Sequence, residues 1–121
     1  MVQNTYKSKG EKVIANILTK YEFNFKYEFP ICVIDDNKTK IWYPDFYLPD
    51  FGIIIEFFGL YNSNDEYKKN AIHKKEVFAE LGIKLIPVYK IFKSIENYII
   101  QEIDLVLRNK EKLFFDKINK K

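Results

Sequence analysis

A chain of 121 residues is the size of one domain, and with 47% apolar and 17% aromatic side chains it can bury a core, which excludes a disordered segment. No apolar run approaches the roughly 20 residues of a membrane span, residues 1–12 lack a secretory apolar stretch, and the lone Cys32 can make neither an internal disulfide nor a zinc site, so a cytoplasmic protein is expected. The net charge of +3 is mildly basic, with lysines gathered at Lys68, Lys69, Lys74, Lys75 and at Lys110, Lys112, Lys117, Lys120, Lys121, either a surface for a polyanion or simply solvated helix faces.

Ser8 and Glu11 have capping-box spacing, in which hydroxyl and carboxylate satisfy orphan backbone donors, so a helix starts there. Val13, Ile14, Ile17, Leu18 and Tyr21 recur at helical spacing and carry it to about Lys20. Phe23, Phe25, Tyr27 and Phe29 then alternate with polar residues until Pro30, the period of a half-buried strand. Residues 31–34 and 40–48 flank Asp35, Asp36, Asn37 and Lys38 and read as a hairpin. Past the turn at residues 49–52, residues 53–59 are apolar on both faces apart from Glu56, which marks a central strand covered on both sides.

Asn62, Ser63, Asn64 and Asp65 supply a loop and an N-cap for a helix that runs to Leu81 and stops at Gly82. Residues 84–89 form a further strand, and Pro87 places it at a sheet edge or a bulge because proline cannot donate to the ladder. Ser94 caps a last helix in which Ile95, Tyr98, Ile99, Ile103, Val106 and Leu107 share one face. The order αβββαβα predicts an α/β fold, with a mixed central sheet of about four strands flanked by helices. Residues 1–121 are expected to form a single domain, with 108–121 a basic and apolar C-terminal extension beyond the last helix. Its Leu113, Phe114, Phe115 and Ile118 suit an interface, or fold back on the core.

Packing does not explain every residue. A carboxylate such as Glu56 inside an apolar strand costs several kcal/mol unless a cation compensates it. Asp45 lies 11 positions earlier in the neighbouring strand, so hairpin pairing brings both carboxylates to one sheet edge. With a backbone carbonyl such as that of Phe57, they form the hard oxygen environment that Mg²⁺ prefers. The alternative for Glu56 is a buried ion pair with a lysine or arginine. Lys74 sits on one helical stripe with Tyr67, Ala71, Phe78 and Leu81, so it points to the sheet, where its ammonium either stabilises a phosphate or snorkels to solvent. Glu11 is accounted for by its cap or leans toward the sheet, and His73 lies about 100° round the helix from Lys74, on the surface side.

Ser8, Glu11, Ile14 and Leu18, then Tyr43, Pro44, Asp45, Phe46, Tyr47, Leu48 and Pro49, then Ile55, Glu56, Phe57, Phe58 and Gly59, and finally Lys74 ahead of Gly82, Ile83, Lys84, Leu85 and Ile86 resemble the PD-(D/E)XK nucleases. The branch it most looks like is the very-short-patch-repair-like and helicase-associated nuclease domains, and the resemblance covers residues 8–89. It implies a restriction-endonuclease-like core in which Asp45 and Glu56 bind Mg²⁺, with Mn²⁺ as a substitute, and Glu11 completes the metal shell. The lysine that such enzymes carry two residues after the glutamate is here Phe58. Lys74, eight residues before Gly82, stands where some branches present the lysine from the following helix. The implied activity is metal-dependent endonucleolytic hydrolysis of DNA, in repair, recombination or a mobile element. A homodimer or higher homo-oligomer is expected, since cutting two strands takes two sites. The alternative is a catalytically inactive nuclease-fold module that binds nucleic acid or a protein partner.

Overall fold

The computed structural model describes residues 5–59 and 65–119. Helix α1 (Lys9–Lys20) opens at Ser8, whose hydroxyl accepts the Glu11 N–H at 3.1 Å, and it buries Ile14, Ala15, Ile17 and Leu18. The alternating stretch after it yields only a short strand, β1 (Lys26–Tyr27), because Glu22 and Glu28 adopt φ of 60° and 52° and turn the chain out of line. Phe23, Phe25 and Tyr27 still pack on the core as the alternation requires.

Strands β2 (Ile31–Asp35) and β3 (Lys38–Trp42) form the expected hairpin around Asp36 and Asn37, both in the left-handed region as a tight two-residue turn demands. The strand expected over residues 40–48 is in fact two. β3 ends at Trp42, and after the break at Tyr43, Pro44 and Asp45 a separate strand β4 (Phe46–Leu48) enters another sheet. Pro44 is the physical reason, since it can donate no ladder hydrogen bond. The strand order is therefore longer than αβββαβα, but the layered class holds: a mixed α/β fold with a four-stranded sheet, order β1-β4-β5-β6, flanked by helices, beside the two-stranded hairpin sheet.

Strand β5 (Ile53–Phe57) is central, antiparallel to β4 and parallel to β6 (Lys84–Val88), and helix α2 (Asp65–Glu80) makes the crossover. β6 closes the sheet edge, where Pro87 is tolerated. Successive β5 side chains face opposite ways. Ile53 and Ile55 join the larger core under α1 and helix α3 (Ile95–Asn119), while Ile54 joins Val33, Val77, Phe78 and Leu85 under α2 and the hairpin. Gly82, with φ of 75°, ends α2 as expected: its N–H reaches the Ala79 carbonyl at 2.9 Å and the Ile83 N–H reaches that of Phe78 at 3.0 Å. The expected N-cap residues Asn62, Ser63 and Asn64, and the side chains of Tyr67 and Phe114, lie outside the described residues. Leu81, placed on the buried stripe from sequence, is 44% exposed, and Val77 is buried there instead.

One expectation needs correction at the C-terminus. Residues 108–119 do not lie beyond the last helix but continue α3, which runs unbroken to Asn119. Along this stretch Lys110 donates to the Phe51 carbonyl and Leu113 borders a groove with Gly82 and Ile83, while Leu113 stays 61% exposed. Among the described residues, no helix is long and apolar enough to cross a membrane.

Candidate active site

Strand pairing brings Asp45 and Glu56 together. Phe46 pairs with Ile55, so the residue entering β4 and the residue following Ile55 meet at one end of the β4–β5 ladder. There the Asp45 N–H turns to Glu56 and donates to Oε1 at 2.8 Å, and the Phe57 N–H donates to Asp45 Oδ2 at 2.8 Å. Each carboxylate is thereby oriented by the other's strand. Both residues are buried.

Parity supplies the third group. Glu56 lies two residues after Ile54 and so faces α2, where Lys74 sits on the buried stripe between Ala71 and Phe78. The Lys74 ammonium donates to Glu56 Oε2 at 2.9 Å. The ion-pair alternative for Glu56 and the assignment of Lys74 to the site thus describe one contact. Lys74 nevertheless keeps 40% of its side chain exposed, so the ammonium faces solvent as well as the carboxylate. A cleft of about 230 Å³ opens over Glu56 and Lys74, walled by Trp42, Tyr43 and Pro44 from the β3–β4 break.

Glu11 arrives from α1. Its backbone is capped by Ser8, but its carboxylate bonds outside the cap, accepting the Lys7 N–H at 3.3 Å and the Tyr27 hydroxyl. Gly10 permits this approach, because a Cβ there would run into the ring of Phe57. Burial, then the Glu56 charge, push the Asp45 carboxyl up to about 7, with the Glu11 charge adding to the rise and the Phe57 N–H opposing it. Burial and the bond to Glu11 push the Tyr27 hydroxyl up, so it remains a donor.

Among the described residues, no set of three or more His, Cys, Asp or Glu side chains is arranged to hold a metal ion. The donors that meet are the carboxylates of Asp45 and Glu56. A pair of carboxylates is compatible with Mg²⁺, which commonly takes one or two of them and keeps several waters. His73 is exposed and bonded through Nε2 to Asp35 at 2.8 Å, away from these groups, in keeping with its surface assignment.

Sequence reasoning missed Tyr27, Gly10 and the way Phe58 is used. Tyr27 was read as one more core position of an alternating strand, and nothing local marks its contact with Glu11 16 residues away. Phe58 was visible only as a missing lysine, whereas its ring lies 5.7 Å from the Lys74 ammonium.

The family described as phage endonuclease I matches over residues 1–98, a stretch that includes every residue of this site. No curated protein and no solved structure matches.

Proposed function

The chain belongs to the phage endonuclease I family, a nuclease family, and on that footing we propose that it is a metal-dependent endonuclease of the PD-(D/E)XK type that hydrolyses DNA phosphodiester bonds. Lys74 carries the proposal. Its ammonium lies 2.9 Å from a carboxylate oxygen of Glu56, whose other oxygen is bonded to the Asp45 N–H. A polar trio joined through the interior of a sheet is costly as scaffolding alone.

Asp45 and Glu56 would hold Mg²⁺, or Mn²⁺ in its place, with the Phe57 carbonyl as a further oxygen. The ion when bound would lower the pKa of a water and steady the leaving oxygen. Lys74 has three N–H donors, of which Glu56 takes one, leaving others for a phosphate oxygen in the cleft as its charge develops. Glu11, fixed by Tyr27, adds negative charge beside Asp45 and favours the ion without being a main ligand. The exposed Lys68, Lys69 and Lys75 stand on α2, the helix that carries Lys74, with charge suited to a DNA backbone. A homodimer would present two such sites to two strands. Phe58 in place of the usual lysine favours a second reading, an inactive DNA- or protein-binding module.

Cleavage of duplex, single-stranded and branched DNA with Mg²⁺, Mn²⁺ or chelator separates the two. Asp45→Ala and Glu56→Ala should abolish metal-dependent cleavage. Lys74→Ala should lower turnover by orders of magnitude yet leave DNA binding nearly intact, since a transition-state contact is lost. Lys75→Ala, a control on the exposed face, should change only salt-sensitive binding. Equal, small effects of the two lysine variants would make the inactive module the better account.

A further inference from the structure

We infer that Phe58 is a positioning residue: its ring, backed by Tyr89, holds the Lys74 ammonium against Glu56. The inference rests on the role proposed for Lys74 above. A lysine has four rotatable side-chain bonds and loses much rotamer freedom when held in one geometry. With 40% of its side chain exposed, Lys74 has water available as a competing partner. One hydrogen bond to Glu56 fixes where the ammonium ends, not the path of the stem.

The second restraint comes from the end of β5. The Phe58 N–H donates to the Val88 carbonyl at 2.9 Å, so the backbone stays tied to β6 one residue beyond the strand. Gly59 then turns the chain away with φ of 59°. Phe57, the preceding residue, faces Gly10 and α1, so alternation sends Phe58 to the face of Glu56 and α2. There the ring stacks on Tyr89, with centroids 5.5 Å apart and planes 25° from parallel. The Lys74 ammonium lies over that ring at 5.7 Å from its centroid, inside the range of about 6 Å within which the face of an aromatic ring attracts a cation. Neither Phe58 nor Tyr89 belongs to either core cluster, so core packing does not explain the pair. In order, the row is Tyr89, Phe58, Lys74, Glu56, and removing a ring frees the lysine at its open end.

The test compares Phe58→Leu and Phe58→Tyr with the unsubstituted chain, in steady-state cleavage with Mg²⁺ and in NMR of lysine ε-methylene groups assigned with Lys74→Ala. Phe58→Leu keeps apolar bulk but has no π face. It should lower kcat about two- to five-fold with KM unchanged, and Phe58→Tyr should restore the rate. In a Lys74→Ala background Phe58→Leu should cost nothing more, because both changes remove one interaction. The Lys74 ε-methylene protons, shielded by the ring, should move downfield in Phe58→Leu and stay in place in Phe58→Tyr. An unmoved Lys74 signal overturns the inference, as does an unchanged kcat, or a raised KM at constant kcat, which would mean that the ring touches DNA. Failure of the nuclease proposal looks different. Lys74→Ala would then cleave as well as the unsubstituted chain, or neither would cleave, and the NMR shift would still report whether the ring holds the ammonium.

Discussion

Replacing Asp45 by asparagine should make the metal-free protein more stable at pH 8 while leaving it nearly unchanged near pH 4. Burial and the Glu56 charge hold the Asp45 carboxyl up to about 7 in the native state, against 3.8 for the ordinary group. From about pH 4 to about pH 7 the folded chain therefore keeps a proton that the unfolded chain has released, and stability falls as pH rises through that window. Each pH unit corresponds to about 1.4 kcal/mol, so the displacement from 3.8 to about 7 sets a ceiling of about 4 kcal/mol. Relaxation around the buried charge brings the expected gain to about 2 kcal/mol. Asparagine is nearly isosteric and can still accept the Phe57 N–H, now bonded to Asp45 at 2.8 Å. In a domain of this size about 2 kcal/mol raises the melting temperature by roughly 6–10 °C. Thermal unfolding of both chains in chelator from pH 4 to pH 8 measures it. Mg²⁺ should reverse the order at pH 8, because an ion that needs the ionised carboxylate stabilises only the unsubstituted chain by mass action, and its affinity should climb as pH passes about 7. An asparagine variant that melts below the unsubstituted chain at pH 8 in chelator would refute the reasoning, since the buried charge would then be stabilising.

Gly10→Ala should destabilise the protein even though alanine is the better helix former by about 1 kcal/mol, because its Cβ would strike the Phe57 ring and overpacking of this kind costs about 1–3 kcal/mol; a raised denaturation midpoint would contradict it. Deleting the residues after Arg108 should shift the mass in solution from dimer to monomer, because Leu113 and Ile118 are exposed on the last turns of α3. Light scattering that finds a full-length monomer at high concentration, or an unchanged dimer after truncation, would reject that contact.

How much of this was legible in sequence depends on the range of the signal. The α1 start, the Gly82 stop, the edge position of β6 and the inward turn of Lys74 follow from spacings of a few residues, and all four appear in the fold. The short β1 was not legible, because glutamate carries no warning that Glu28 will take a positive φ. The break at Pro44 was hidden by good strand formers on both sides, although the proline itself was the available clue. The length of α3 was underread because the apolar stripe stops near Leu107, and that stripe reports burial rather than helicity. No glycine or proline stands between Leu107 and Asn119 to end the helix, so it continues. Contacts such as Tyr27 with Glu11 join distant positions and have no local signature.

The same distinction accounts for the apparent loss at position 58. A motif is a pattern along the chain, whereas the chemistry proposed above would need an ammonium at one point in space, on the α2 face of β5 beside Glu56. Parity makes position 58 one way to reach that point, and a helix laid across the same face makes position 74 another. Once α2 supplies the charge, a second lysine at 58 would bring two like charges within a few ångströms of each other, at a cost that rises in a half-buried cleft. An aromatic ring has the opposite effect, since it fills the vacated space and presents a negative face to the incoming cation. Phenylalanine at 58 and lysine at 74 are therefore physically coupled choices. Either one taken alone reads as a defect: a nuclease strand without its lysine, or a helix with a charge on its buried stripe.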